Sequence, residues 1–155
     1  MIITQKRIYR EDLQANPLIK YLFGDNTHRK GLGGQAFEMR GNPNAIGIAT
    51  KKSPSMDPSS FFSDDELTQN LDTIWDDLKP AFAHIIRGGI IVIPLDGLGT
   101  GLSKLTESAP RTAAALDQYI IRLYRMSMME DISENRQMYF DRCNRMKYAS
   151  NQIHP

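Results

Sequence analysis

Residues 88–103 read GGIIVIPLDGLGTGLS, an apolar run that leads directly into a glycine-rich turn. The residues from Ile90 to Ile93 are β-branched and show no polar alternation, which is typical of a strand buried on both faces of a sheet. A helix is predicted soon after the turn, with Ser108 as its N-cap and Pro110 in its first turn. The order strand, glycine turn, helix is the repeating unit of α/β proteins with parallel strands.

The same alternation extends toward the N-terminus. Residues 20–23 and 45–50 are predicted strands, and Ser63 begins a capping-box pattern ahead of apolar residues at helical spacing. Pro80 lies inside this second helix and is expected to kink or split it. We therefore predict an α/β domain of three layers, with a mixed, largely parallel sheet and helices on both faces.

Composition excludes several classes of protein. The chain has 155 residues, of which 41% are hydrophobic and 24% are charged, so wholesale disorder is not expected. Nineteen basic and 18 acidic residues give a formal net charge of +1, which does not indicate a nucleic-acid protein that works by bulk charge. The single cysteine, Cys143, excludes an internal disulfide and any multi-thiolate metal site.

The expected location and domain organisation follow from the same sequence. The apolar run is far shorter than the about 20 residues that a membrane helix needs, and the first ten residues do not have the order of a secretory signal. We expect a cytoplasmic protein without a membrane partner. Residues 1–128 are predicted to form the domain, and residues 129–155 a helical appendage packed on it. The weak apolar stripe of Met138, Cys143 and Met146 faces either that domain or a second subunit.

A glycine-rich turn follows each of two predicted strands, at residues 31–34 and 97–101. In open α/β sheets, ligands bind beyond the carboxyl ends of the strands. Glycines let backbone N–H groups approach an anion closely, so two such turns together could hold a diphosphate. The alternative is that both are simply tight turns, which are common.

Two segments carry a resemblance to a known family. Residues 98–105, LGTGLSKL, directly after the apolar strand, resemble the phosphate-binding loop of macrodomains, which are ADP-ribose-binding α/β modules. Residues 24–36, which run from Gly-Asp-Asn to Gly-Gly-Gln-Ala, resemble the strand end and glycine loop of the same family. Small bacteriophage-type proteins have a similar pattern, so a phage-encoded, macrodomain-like protein in the host cytoplasm is one expectation.

Residues 48–52, IATKK, extend the resemblance to one subgroup of macrodomains, those that cleave terminal ADP-ribose from protein carboxylates. The resemblance spans roughly residues 21–124. It implies that Lys51 attacks the sugar or anchors a phosphate, and that an aspartate assists. The family's second-loop aspartate falls on Ser103 here, so Asp96 and Asp25 are the candidate acid or base.

The resemblance also implies a ligand and its contacts. The expected partner is an ADP-ribose-like small molecule or an ADP-ribosylated macromolecule, with no cofactor. No metal is expected, because the three histidines are scattered and show no metal-binding spacing. A non-catalytic ADP-ribose reader and a phage-type protein-interaction effector are the alternatives. The candidate ligand-binding residues are Asn26, Gly31, Gly33, Gly34, Gln35, Gly97, Gly99, Thr100, Gly101, Leu102 and Ser103.

Each candidate also has a plainer explanation. Lys51 is equally well explained as a solvated loop lysine, and Asp25 with Asn26 as a turn pair at a strand end. Of the adjacent Phe61 and Phe62, only one can point inward easily. The other is then available to a ligand or partner, or both belong to a hydrophobic staple before the helix.

Overall fold

The computed structural model describes residues 1–129 and 133–146. The strands are β1 (Ile2–Gln5), β2 (Lys20–Asn26), β3 (Ala45–Lys51) and β4 (Ile91–Pro94). The helices are α1 (Arg10–Ala15), α2 (Ala36–Met39), α3 (Leu67–Ile86), α4 (Leu105–Ser108), α5 (Pro110–Met128) and α6 (Ser133–Arg145), with short 3-10 turns at Pro58–Ser60 and Asp64–Glu66.

The four strands form one sheet in the order β1-β4-β2-β3. The pairs β1–β4, β4–β2 and β2–β3 are all parallel. Helices cover both faces of the sheet, which confirms the predicted three-layer α/β architecture. Because β2 and β4 are parallel neighbours, the loops that follow them leave the sheet at the same edge.

Each face of the sheet has its own apolar core. On one face Leu22 and Ile48 pack with Trp75 of α3 and Tyr119 of α5. On the other face Phe23 and Val92 belong to a smaller cluster with α1 and α2. All four residues of β4 are buried. The apolar run of the sequence therefore forms a strand buried on both faces, as predicted.

The start of helix α5 differs from the prediction. Ser108 ends α4, and α5 begins at Pro110 without a side-chain cap from its own N-cap residue. The free N–H groups of its first turn are instead satisfied by Asp64, whose carboxylate accepts hydrogen bonds from the backbone of Arg111 at 2.8 Å and of Thr112 at 2.9 Å. A cap supplied from 48 residues away leaves no local sequence signal.

Helix α3 continues through Pro80 without being split. Helix α6 packs against it: the rings of Trp75 and Phe140 stack with centroids 6.0 Å apart, and the indole Nε1 donates to Asn144 Oδ1 at 2.8 Å. Residues 130–132 and 147–155 of the predicted appendage lie outside the described residues. Among the described helices, none combines the length and apolar character needed to cross a bilayer.

Candidate functional site

Two loops and the ends of strands β2 and β3 line a cavity of about 310 Å³ at the carboxyl edge of the sheet. We call residues 27–34, after β2, the first glycine loop and residues 95–103, after β4, the second glycine loop. They meet closely, because a Cβ placed on Gly33 would lie 3.0 Å from Leu102 Cδ1. The structure brings together every candidate site residue named from the sequence except Gly97, which does not line the cavity.

Gln35 joins the two glycine loops. Its side-chain oxygen accepts a hydrogen bond from the Gly24 N–H at 2.8 Å, and its nitrogen donates to the Gly97 carbonyl at 3.3 Å. The side chain of this predicted ligand-binding residue is therefore engaged with backbone groups. It lines the cavity and also sets the relative position of the two loops.

Asp25 is held by two arginines. Both of its carboxylate oxygens accept from the Arg40 guanidinium, and Arg29 lies 3.6 Å away on the other side. The Asp25 side chain is only 3% exposed and that of Arg40 is 20% exposed, so this ion pair is largely buried. A carboxylate with both oxygens bound to a guanidinium is poorly suited to take a proton from a substrate or water. The arrangement indicates a structural role for Asp25.

The same cluster shapes the first glycine loop. Arg40 also donates from Nε to the Gly31 carbonyl at 2.8 Å. Asn26 donates from Nδ2 to the Lys30 carbonyl at 2.7 Å. Arg29 has a backbone φ of 55°, an uncommon conformation for a residue other than glycine. The contribution of Arg40 was not predicted, because nothing in its sequence position reveals that it lies beside Asp25.

Lys51 is a buried amine, 6% exposed, at the end of β3. Its Nζ lies 4.5 Å from the centroid of the Phe61 ring and 3.4 Å from Met56 Sδ. In the described part of the chain no carboxylate lies within 4 Å of it. Burial, and secondarily the charge of Lys104, lowers the pKa of Lys51.

The neighbouring lysine behaves differently. Lys52 forms an ion pair with Glu66 at 2.6 Å and does not line the cavity. The two phenylalanines divide in the same way, since Phe62 is buried in the core while Phe61 faces the amine of Lys51. Adjacent residues alternate across a strand or extended segment. Lys51 alone of the two lysines therefore lines the cavity, and Phe61 alone of the two phenylalanines contacts its amine.

Ser103 is a second buried polar residue that lines the cavity. It is 8% exposed, and within residues 1–129 and 133–146 its Oγ has no hydrogen-bond partner. The next residue, Lys104, has a left-handed backbone φ of 47°. Asp96 and Thr100 are exposed where the second glycine loop lines the cavity.

These contacts sort the polar side chains into two groups. Asp25, Asn26 and Gln35 are engaged by other parts of the protein, whereas Lys51 and Ser103 are buried without a polar partner other than the Met56 thioether. Buried polar groups without partners are uncommon in folded proteins. A cation and a hydroxyl beside two glycine turns form an arrangement suited to an anionic, oxygen-rich ligand.

In the described ranges, no three histidine, cysteine, aspartate or glutamate side chains are grouped as a metal site would require.

Comparison with known protein families places most of the chain in a family. The model of a protein family of unknown function, DUF7831, matches residues 3–119, which include nearly the whole sheet, both glycine loops and Lys51. No curated protein and no solved structure matches the chain. Because the matched residues make up most of the sequence, the chain belongs to the DUF7831 family.

Proposed function

We propose that the cavity binds ADP-ribose or a related nucleotide diphosphate. The observation that carries this proposal is the presence of a buried lysine and a buried, unpartnered hydroxyl in one cavity between two glycine loops. An unpaired buried cation is costly, and a bound anion offsets that cost. The cavity volume also lies in the range of about 300–1,000 Å³ that is typical of small-molecule sites.

In this proposal the diphosphate lies between the two glycine loops and the distal sugar approaches Lys51. Gly31 and Gly34 in the first loop and Gly97 and Gly99 in the second have positive φ angles. Such turns direct successive backbone N–H groups to one side, where they can bind phosphate oxygens. Ser103 Oγ donates to a phosphate or ribose oxygen, which satisfies its missing hydrogen bond.

The contacts of Asp25 favour a protein that binds ADP-ribose without hydrolysing it. Its carboxylate is held by Arg40 and Arg29, and Ser103 stands where a second-loop carboxylate was expected. Of the acidic residues considered, Asp96 alone remains available as an acid or base. The ligand of such a non-catalytic reader is either free ADP-ribose or ADP-ribose attached to another protein in the cytoplasm.

Hydrolysis of an ADP-ribosylated acceptor is the second candidate, and the lowered pKa of Lys51 is the observation that favours it. The neutral amine attacks the anomeric carbon of the distal ribose, forming a C–N bond as the C–O bond to the acceptor carboxylate breaks. Water then attacks the same carbon, the C–N bond breaks, and its electron pair returns to the Lys51 nitrogen. Asp96 accepts the proton of that water in this scheme.

Isothermal titration calorimetry of the full chain with ADP-ribose tests binding. We expect saturable heat of binding for the native chain. Lys51→Ala should lose about tenfold or more in affinity, which corresponds to one charge-assisted contact. Lys52→Ala should bind with nearly unchanged affinity. Absence of heat with the folded native chain would refute ADP-ribose binding and favour a protein-interaction role.

For catalysis, release of ADP-ribose from a modified protein should stop in Lys51→Ala, and unchanged release would exclude Lys51 from the reaction.

A further inference from the structure

Met56 is in direct contact with the Lys51 amine and is also largely exposed. It lies in the loop between β3 and the turn Pro58–Ser60, and it is 53% exposed. Its Sδ is 3.4 Å from Lys51 Nζ. The side chain whose sulfur atom touches the buried amine of the cavity is therefore open to a soluble oxidant.

We propose that Met56 is an oxidation site whose sulfoxide oxygen captures the ammonium group of Lys51 and withdraws it from ligands. The proposal does not depend on the identity of the ligand, so it stands apart from ADP-ribose binding. The modification changes one existing contact, that between Met56 Sδ and Lys51 Nζ.

The change in the contact follows from the chemistry of sulfur. A thioether is a weak hydrogen-bond acceptor, so Met56 does little for the charge of Lys51. A hydroperoxide converts it to a sulfoxide: the O–O bond breaks, an S–O bond forms, sulfur loses two electrons, and the peroxide leaves as alcohol or water. The product is polar, and methionine sulfoxide reductases reverse the reaction. A charged donor bonded to this oxygen is held more strongly than one beside a thioether.

The loop that contains Met56 is held by hydrogen bonds that do not involve the Met56 side chain, so oxidation of this side chain leaves them in place. Its ends are held by Lys52 N–H donating to the Ser60 carbonyl at 2.8 Å and by the hydroxyls of Ser53 and Ser60 at 2.7 Å. Asp57 N–H bonds to Ser55 Oγ at 3.0 Å. None of these contacts uses the Met56 side chain. Phe61 lies against the Lys51 amine as well, so the amine is held where a new oxygen on Met56 meets it.

As a consequence, less of Lys51 is present as the neutral free amine, and its positive charge is paired with the sulfoxide oxygen instead of being open to a ligand. A stronger acceptor favours the charged form of a lysine and raises its pKa. A rise of one pKa unit lowers the fraction of free amine about tenfold at neutral pH. The labelling of Lys51 by an amine reagent should fall by about that factor after oxidation, while Lys52, paired with Glu66, should be unaffected.

The experiment treats the full chain with hydrogen peroxide, confirms Met56 sulfoxide by peptide mapping, and measures reductive methylation of Lys51 with Lys52 as the internal reference. We expect about tenfold slower labelling of Lys51 in the oxidised native chain. Met56→Leu should be insensitive to peroxide, and Met56→Gln, which supplies a polar oxygen acceptor, should label slowly without it. Met128→Gln is the matched control, since Met128 is 75% exposed at the end of α5.

Three results would overturn the proposal. One is unchanged labelling of Lys51 in protein shown to carry Met56 sulfoxide. Another is faster labelling, which would mean that the oxidised side chain moves away and uncovers the amine. The third is an equal loss of labelling in Met56→Leu after peroxide, which would assign the effect to another methionine.

Discussion

Gln35 and Gly97 are 62 residues apart in sequence, and the Gln35 side-chain nitrogen donates to the Gly97 carbonyl at 3.3 Å. The oxygen of the same amide accepts from the Gly24 N–H at 2.8 Å, so one side chain links β2 to both glycine loops. The separation of the two loops, and with it the width of the cavity, depends on this link.

Replacement of Gln35 by alanine should therefore act on stability and ligand binding together. The change removes two hydrogen bonds and leaves the Gly24 N–H without its partner, which should lower the free energy of unfolding by about 1–2 kcal/mol. Affinity for ADP-ribose should fall as well, because the loops lose their fixed spacing. Urea unfolding and calorimetry measure the two effects. Gln69→Ala, on the exposed side of α3, is the control and should change neither.

Asp25 is predicted to be a structural carboxylate. Asp25→Asn leaves the partly buried Arg40 guanidinium beside a neutral group, and removal of one partner from a buried ion pair costs up to about 3–5 kcal/mol. The matched control is Asp76→Asn, because Asp76 pairs with Lys79 at 2.6 Å on the surface. That change should alter stability by less than about 0.5 kcal/mol. Equal denaturant midpoints for the two variants would contradict a structural role for Asp25.

The fold was more predictable than the roles of individual side chains. The uninterrupted β-branched run of β4 can be satisfied only by burial on both faces, and this requires helices on both sides of the sheet. The meeting of the two glycine loops follows in turn, since parallel neighbouring strands end at one edge. The hydrophobic pattern of a short segment is sufficient to predict the burial of a strand. The order of strands and helices is sufficient to predict that neighbouring strands are parallel.

The contacts inside the cavity were not predictable in this way. Gln35 was expected to bind the ligand and Asp25 to move protons, yet each is engaged by groups that are distant in sequence. Ser108 was expected to cap α5, but Asp64 performs that function from another helix end. A polar side chain has several possible partners, and the three-dimensional arrangement alone determines which one it meets.

Ser103 and Ser108 offer a direct test of the cavity. The Oγ atoms of both are buried without a hydrogen-bond partner within residues 1–129 and 133–146, but Ser103 lines the cavity and Ser108 does not. Replacement of either by alanine removes an unsatisfied polar group and should leave stability unchanged or raise it by up to about 1 kcal/mol.

Affinity should separate the two serine variants. Ser103→Ala should weaken ADP-ribose binding by about 5–10-fold, the value of one hydrogen bond, whereas Ser108→Ala should bind like the native chain. Calorimetry under identical conditions measures both. Equal affinities in all three proteins would show that the Ser103 hydroxyl does not contact the ligand.

Lys51 should make the stability of the free protein depend on pH. Burial lowers its pKa in the folded state, while the unfolded chain keeps the ordinary value of about 10.4. Below the folded-state pKa the amine is charged in both states, so the cost of burying the charge is fully present. Between the two pKa values the unfolded chain binds more protons than the folded one. Stability therefore rises with pH across this interval, and the cost disappears above it.

Lys51→Met removes the buried charge and keeps most of the apolar stem. The variant should be more stable than the native chain at neutral pH, and its advantage should shrink as the pH rises toward about 10.4. Denaturant unfolding at a series of pH values measures this difference. Lys52→Met is the control, because its ion pair with Glu66 is partly exposed and should contribute little. An advantage for Lys51→Met that stays constant with pH would mean that the native cost arises from packing and not from the charge of the buried amine.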